Sequence, residues 1–196
     1  SGRSLLFAPR LPPSYAVWLG AIDSWEVLAR RYGVDECHPV DEMAAVLRDK
    51  LGARTLHLLE GVNTDSGRTS AAAVFDGVAA FDVRKDLLHP AISECRVFKT
   101  PYEVDVLRYA CRVSSEAHRR VMRAVRAGLF EYQLESEFLN YCYGSGGCRF
   151  VSSVCICASG ANSSILHYGH AGQSNARAMR DGDICYFDMG AEYYCY

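Results

Sequence analysis

The first half of the chain alternates short apolar runs with polar breaks, a pattern typical of an α/β domain. The alternation predicts strands over residues 15–19 and 55–59. A short helix is expected over residues 24–32, beginning at a serine cap, and another over residues 40–47. These elements predict a small α/β domain over residues 1–95.

A well-specified helix start lies just after residue 95. Thr100 as the N-cap, Pro101 at the first helical position and Glu103 three residues after the cap form a capping box. Behind it, residues at alternating spacings of three and four predict one face of a long helix that ends near Gly128. The residues of this face are Val104, Leu107, Cys111, Ser114, His118, Val121 and Val125. A second domain is therefore predicted over residues 96–196.

The remaining pattern of this second domain is a helix followed by strands. A helix is expected over residues 131–143, ended by a glycine-rich turn, and a strand over residues 152–158 followed by a loop over 160–164. His118 lies on the mostly apolar face of the long helix. We interpret it as a histidine at the edge of the core with a backbone or side-chain partner, rather than as a ligand.

The composition is that of a globular protein with a core, with 49% hydrophobic and 22% charged residues. A net charge of −2 gives no field that would attract nucleic acid or an anionic membrane, and no run of eighteen apolar residues is present. Neither a nucleic-acid nor a membrane partner is expected. The nine cysteines are odd in number and mostly lie in apolar segments, so we interpret them as reduced, buried thiols and expect a cytoplasmic protein.

One carboxylate in an apolar run is the strongest candidate for chemistry. Asp188 lies between Phe187 and Met189, shortly after the paired histidines that begin at His167. A strand here would bury an acid, which is costly unless the carboxylate meets a cation, a metal or hydrogen-bond donors. Two interpretations remain open at this point: Asp188 caps a turn into Gly190, or it is a metal-binding or catalytic group.

Several motifs recur in a fixed order along nearly the whole chain. They comprise residues 10–12, 40–42, 61–67, 95–100, 106–109, 114–119, 155–157, 167–172 and 183–195. Together they closely resemble the prolidases, the Xaa-Pro dipeptidases of the pita-bread metallopeptidase family. The resemblance implies an incomplete α/β, creatinase-like amino-terminal domain, followed by the first part of an α+β pita-bread metallopeptidase domain.

The resemblance also implies a reaction and a site. Prolidases hydrolyse dipeptides with carboxy-terminal proline or hydroxyproline, using two divalent metals, typically Mn2+, held by two Asp, one His and two Glu. By position, Asp188 corresponds to the first metal-ligand Asp, His167 to a substrate-contacting His, and Ile156 to an apolar residue that lines the substrate pocket. His170 matches the same motif, and we assign it no role beyond shaping the loop. A homodimer is expected from the family.

Two features separate this chain from the family pattern. Ser153 stands where prolidases carry a Tyr near the pocket, and Phe150 stands where they carry a His, so specificity or rate can differ. We expect the chain to be truncated at both ends, because it does not begin with Met and because the other four metal ligands would lie beyond Tyr196. The 196 residues alone are therefore expected to be inactive, and poorly stable because of an open apolar sheet edge. The alternative is a non-catalytic relative that serves as a binding or interaction module.

Overall fold

The structure is a computed structural model that describes residues 2–169 and 175–196. The chain divides into two compact units, residues 1–98 and 99–196. The first unit combines short strands with short helices, whereas the second packs two long helices against antiparallel strands. The domain boundary at residues 95 and 96 stays a prediction from the sequence.

The described part of the first unit contains six short strands and four α-helices, with 3-10 turns at Val40–Glu42 and Val78–Ala80 and a π-helical turn at Val46–Lys50. In chain order they are β1 (Leu5–Ala8), α1 (Tyr15–Leu19), α2 (Trp25–Tyr32), β2 (Glu36–Pro39), α3 (Met43–Ala45), β3 (Thr55–His57), β4 (Gly61–Val62), β5 (Thr69–Ser70), β6 (Asp82–Arg84) and α4 (Leu88–Val97). β1 pairs with β2 and β3 with β6, both in parallel, while β4 and β5 form an antiparallel hairpin. The parallel β1–β2 pair is joined through α1 and α2, whereas β3 and β6 are joined through the β4–β5 hairpin and a 3-10 turn. Helices and parallel strands in one unit confirm its predicted α/β character.

One element of the first unit was predicted wrongly. Residues 15–19 form helix α1 rather than a strand, and the N–H of Tyr15 donates to the carbonyl of Pro12 at 2.9 Å. Two adjacent prolines, Pro12 and Pro13, precede this helix and favour the helical backbone of a first turn. Trp18 is 85% exposed, so within residues 2–169 and 175–196 no sheet buries the apolar residues that suggested a strand.

The other predicted elements of the first unit occur with small shifts. The Ser24 side chain caps α2 by accepting a hydrogen bond from the N–H of Val27, which confirms the predicted helix start. The strand expected over residues 55–59 is present as β3. The helix expected over residues 40–47 is irregular, because it passes from a 3-10 turn through α3 into the π-helical turn that ends at Lys50.

The described part of the second unit contains two long helices and four short strands. These are α5 (Pro101–Ala124), α6 (Glu131–Gly144), β7 (Phe150–Val151), β8 (Ile156–Ser159), β9 (Cys185–Asp188) and β10 (Ala191–Glu192), with a 3-10 turn at Gly160–Ser164 between β8 and β9. β8 pairs with β9 and β10 with β7, both antiparallel. The two predicted helices are confirmed.

The core of the second unit lies between α5, α6 and the β8–β9 pair. Its buried members are Val113, Ala117, Val121, Leu134, Phe138, Cys142, Cys148, Cys155, Cys157, Met179, Met189 and Ala191. The buried stripe of α5 is therefore displaced by about one residue from the predicted one, and Cys111 is exposed rather than buried. Small alanines such as Ala117 carry a weak apolar signal in a sequence pattern, yet they let α6 approach closely.

The capping box at the start of α5 is confirmed. The Thr100 hydroxyl accepts from the N–H of Glu103 at 3.3 Å, and the Glu103 carboxylate accepts from the N–H of Thr100 at 2.6 Å. A cap of this kind typically contributes about 1 kcal/mol to helix stability. The Glu103 carboxylate also accepts a hydrogen bond from the Tyr196 hydroxyl.

Glu103 makes the stability of α5 depend on pH. The Tyr196 hydroxyl, and then the N–H and side chain of Thr100, lower the pKa of Glu103 to about 2. Because the folded pKa is depressed, the stabilisation is complete above the ordinary glutamate pKa and is lost as the pH falls from there towards about 2. In urea denaturation at a series of pH values, we expect Glu103→Gln to be less stable than the parent chain at pH 7, with the difference shrinking below about pH 4. If the stability difference between Glu103→Gln and the parent chain did not change with pH, the charge of the Glu103 carboxylate would contribute nothing to stability.

Candidate functional site

The β8–β9 pair has two faces with different environments. In its register Ile156 lies opposite Asp188, Cys157 opposite Phe187, and Ala158 opposite Tyr186. Residues directly opposite each other in an antiparallel pair point to the same face. Cys157 and Phe187 belong to the core shared with α6, so Ile156 and Asp188 lie together on the other face. The family resemblance assigns site roles to Asp188, His167 and Ile156. In the structure two of them, Ile156 and Asp188, are cross-strand neighbours.

Asp188 itself is exposed, which corrects the expectation of a buried acid. It is the last residue of β9 and points away from α6, whereas the apolar neighbours Phe187 and Met189 belong to the core. Alternation along the strand therefore separates the acid from the residues that flank it in sequence. The Asp188 carboxylate makes no hydrogen bond to any other residue of the described part of the chain. The described residues therefore show no hydrogen bond of the kind that a turn-capping aspartate makes.

The backbone that follows Asp188 is held at three successive residues. His118 Nε2 donates to the carbonyl of Met189 at 2.8 Å, and the carbonyl of Gly190 accepts from the N–H of Ser152 at 2.9 Å. The N–H of Ala191 then donates to the Ser114 hydroxyl at 2.9 Å. His118 is thus a half-buried histidine with a backbone partner, as predicted. These contacts limit the positions that the end of β9 can take.

Glycine at position 190 follows from this close approach. A Cβ atom placed on Gly190 would collide with the side-chain oxygen of Ser152. A larger residue would require the Ser152 hydroxyl to rotate away, and its Cβ would still lie 3.3 Å from the Ser152 Cβ. The Asp-Met-Gly motif therefore combines an exposed carboxylate with a glycine that packs closely against Ser152.

His167 and Tyr168 follow the 3-10 turn and differ sharply in burial. His167 is exposed, whereas Tyr168 is buried and packs with Ile156 and Ala158, against which Tyr186 also packs. The structure thus links His167 to the face of Ile156 through its chain neighbour. His170 lies outside the described residues.

A buried glutamate at the start of α6 was missed by the sequence analysis. Glu131 is only 1% exposed, and its carboxylate accepts five hydrogen bonds. Burial raises the pKa of Glu131, but the hydrogen bonds from Ser159, Tyr168, the Arg177 N–H and Asn162 outweigh this and bring it below the ordinary value. An acid at a helix start is commonly a solvated residue that complements the helix dipole, so nothing in the sequence distinguished Glu131.

An ion pair adjoins this glutamate. The Arg177 guanidinium binds both carboxylate oxygens of Asp183, at 2.6 and 3.0 Å, and also donates to the Ser159 hydroxyl at 2.7 Å. The same guanidinium lowers the pKa of Asp183. Gly160, at φ +55°, passes so close that a Cβ atom there would lie 2.8 Å from an Asp183 oxygen. The end of β8 is thereby fixed against the segment that leads into β9.

All nine cysteines lie in the described part of the chain, and each is a free thiol there. Five of them are buried as predicted, whereas Cys95, Cys111 and Cys195 are exposed. Burial raises the pKa of Cys142 to about 12 and that of Cys155 to about 11. A thiol that resists ionisation is a poor nucleophile, so these buried cysteines are structural.

The described residues can be tested as metal ligands. An exposed carboxylate such as Asp188 suits a hard divalent cation. Within the part of the chain that the structure describes, however, no group of three or more His, Cys, Asp or Glu could hold a metal ion. Asp188 therefore fits one position of a ligand set, and the described residues do not complete one.

Comparison with known proteins identifies the class of this fold and site. Residues 105–196 match the family model of Metallopeptidase family M24, and residues 1–59 match that of the Aminopeptidase P, N-terminal domain. Residues 105–196 are thus part of a family M24 metallopeptidase domain, and residues 1–59 are part of an amino-terminal domain of the aminopeptidase P type. The predicted fold class, an α/β amino-terminal domain followed by pita-bread metallopeptidase residues, is confirmed.

Individual relatives narrow the similarity. The chain is 54% identical over all 196 residues to the Xaa-Pro dipeptidases of Mus musculus and Homo sapiens, and it spans 40% of the length of each. The structure of aminopeptidase P from Escherichia coli superposes with a TM-score of 0.76 at 30% identity, covering 97% of this chain and 44% of that one. The predicted resemblance to the prolidases is confirmed. Among the described residues, no helix is both long and apolar enough to cross a bilayer.

Proposed function

We propose that this chain is part of an Xaa-Pro dipeptidase, which hydrolyses dipeptides that end in proline. The observation that carries the proposal is the 54% identity, over the whole chain, to relatives that bear this name. The geometry agrees with it, since an exposed carboxylate and an apolar side chain lie side by side on the face of β8–β9 that points away from α6.

In this proposal each of the three residues has its own task. Asp188 contributes carboxylate oxygen to a divalent metal, Ile156 forms an apolar wall beside it, and His167 contacts the substrate. The metal pair is proposed to be Mn2+, which would supply Lewis-acid chemistry when bound. The exposure of Asp188 and His167 supports these roles, because both side chains are accessible to a ligand.

The 196 residues alone are proposed to be inactive. One exposed carboxylate does not bind a metal pair, since affinity depends on several converging ligands. The described residues supply no group of three or more potential ligands. Activity would therefore require residues that a longer protein provides.

The test is manganese-dependent release of proline from Gly-Pro. We expect release by a full-length protein that contains this chain, and none by the 196 residues alone. In parallel, manganese should not raise the melting temperature of the 196 residues, because a ligand stabilises a folded state only if it binds that state. Proline release by the 196 residues, or a clear manganese-dependent rise in their melting temperature, would contradict the account of the metal site.

The same assay decides between the two classes of function. If the full-length protein releases no proline with manganese or another divalent metal, the chain belongs to a non-catalytic relative that acts as a binding or interaction module. We also propose a homodimer, as the family resemblance implies, and a cytoplasmic location. The nine free thiols support a reducing compartment.

A further inference from the structure

The Glu131 carboxylate is the centre of a buried polar network in the second unit. Oε1 accepts from the N–H and hydroxyl of Ser159, both at 2.7 Å, and from the Asn162 side-chain amide at 3.3 Å. Oε2 accepts from the Tyr168 hydroxyl at 2.7 Å and from the N–H of Arg177 at 3.1 Å. A buried carboxylate is costly, and five donors offset that cost.

The donors come from separate segments around the candidate site. Ser159 ends β8, Asn162 belongs to the 3-10 turn, and Tyr168 directly follows His167 in the chain. Arg177 leads towards β9 and pairs with Asp183. One side chain of α6 therefore joins β8, and the segment that leads into β9, to the segment that carries His167.

Packing alone does not account for a carboxylate at this position. The apolar core of α6 is formed by Leu134, Phe138 and Cys142, and replacing a buried polar network by apolar residues is often neutral or stabilising. A carboxylate instead imposes directions, because each donor must point at one of two oxygens. The network thus specifies the placement of the surrounding segments.

We infer that Glu131 is a positioning residue for substrate binding: it holds the Tyr168 hydroxyl and the end of β8, and thereby keeps His167 beside the face of Ile156 and Asp188. The substrate contact of His167 rests on the proposed function. The placement of residues 165–169 by Glu131 does not, and it is testable on the 196-residue chain.

Glutamine at position 131 would disturb the network in a defined way. A glutamine has one acceptor oxygen and one NH2 group, whereas all five partners donate. If the NH2 group replaces Oε2, the N–H of Arg177 loses its acceptor; if it replaces Oε1, the N–H of Ser159 loses its acceptor. Hydroxyl groups can turn, but a backbone N–H cannot, so either orientation leaves a buried donor unsatisfied.

Hydrogen exchange followed by mass spectrometry tests the placement. In Glu131→Gln we expect the amides of residues 159–169 to exchange about tenfold faster, while those of α5 are unchanged. Tyr168→Phe removes only one donor and keeps the ring, so it should accelerate residues 165–169 without unfolding the chain. The matched control is Glu137→Gln, the same change six residues further along α6, at a side chain that makes no hydrogen bond or ion pair within the described residues. Exchange that is unchanged in both variants, or equally faster throughout the second unit, would overturn the inference.

Kinetics in the full-length protein test the link to substrate. We expect Glu131→Gln and Tyr168→Phe to raise the KM for Gly-Pro about tenfold with little change in kcat, and Glu137→Gln to leave both unchanged. A merely structural role would lower the folded fraction, and hence the apparent kcat, at constant KM; that result would also overturn the inference. Absence of proline release by the unmutated full-length protein would refute the proposed function, and the exchange experiment would then decide the positioning role by itself.

Discussion

Replacing Phe138 by alanine is expected to lower the free energy of unfolding of the second unit by about 3–5 kcal/mol. Phe138 is 0% exposed at the centre of α6, where it packs in the core formed with α5. Its ring also forms a T-shaped contact with the His118 ring, with the centroids 5.0 Å apart. Alanine would leave a cavity that α5 and β8 cannot fill without moving. Because a domain of this size is typically stable by only 5–15 kcal/mol, the loss would be a large part of the total.

Urea denaturation followed by far-UV circular dichroism measures this effect, since α5 and α6 are the longest helices of the described chain. The control is Tyr143→Ala, which removes an aromatic ring from the same helix at a position that is 60% exposed, and it should cost about 0.5 kcal/mol or less. Both tryptophans, Trp18 and Trp25, lie in the first unit, so their fluorescence reports on that unit separately. Similar losses of unfolding free energy in Phe138→Ala and Tyr143→Ala would show that the core around Phe138 does not stabilise the second unit.

Local signals explain which elements could be predicted from the sequence. The start of α5 depends on Thr100, Pro101 and Glu103, whose capping bonds form within four residues of chain. The end of α6 likewise follows from a glycine-rich turn. The residues that determine these helix ends are close together in the sequence, so the ends could be predicted without knowing the rest of the fold.

The wrong predictions concern elements whose structure depends on whether, and from which side, another element packs against them. Apolar residues 15–19 have strand-like composition, but no second element of the described chain buries them, and the preceding prolines favour a helix. The buried face of α5 is set by which side α6 approaches, and Ala117 rather than Cys111 lies there. A pattern of apolar residues shows that one face of a helix is buried. Which residues lie at the centre of that face depends on the position of the helix that packs against it.

The candidate site was predicted only in part for the same reason. Asp188 was singled out because an acid interrupts an apolar run, yet strand alternation places it in solvent. Glu131 was not singled out, because its partners Ser159, Tyr168 and Arg177 lie 28, 37 and 46 residues away in the sequence. Each of these residue types is common on a surface, and only the fold brings them to one carboxylate.

Under the proposed function, replacing Asp188 by asparagine is expected to reduce proline release by the full-length protein by at least about 100-fold, with little effect on stability. Loss of a group that merely supports a metal ligand typically costs 10–100-fold, so loss of a ligand should cost more. Asparagine keeps the shape of the side chain but removes the charge that a hard divalent cation prefers. Because Asp188 is exposed and makes no hydrogen bond within the described residues, folding should not depend on it. The measurements are Gly-Pro hydrolysis across a manganese titration and urea denaturation of the same sample.

Asp181→Asn is the matched control, because Asp181 is an exposed acid in the turn just before β9 and carries the same charge. Activity should be unchanged in this variant, which separates a specific role of Asp188 from a general loss of negative charge. A higher manganese requirement in Asp188→Asn, with stability equal to that of the parent protein, would support metal ligation. Equal activities of the two variants would instead favour the turn interpretation, in which the Asp-Met-Gly motif serves only to end β9 where Gly190 packs against Ser152.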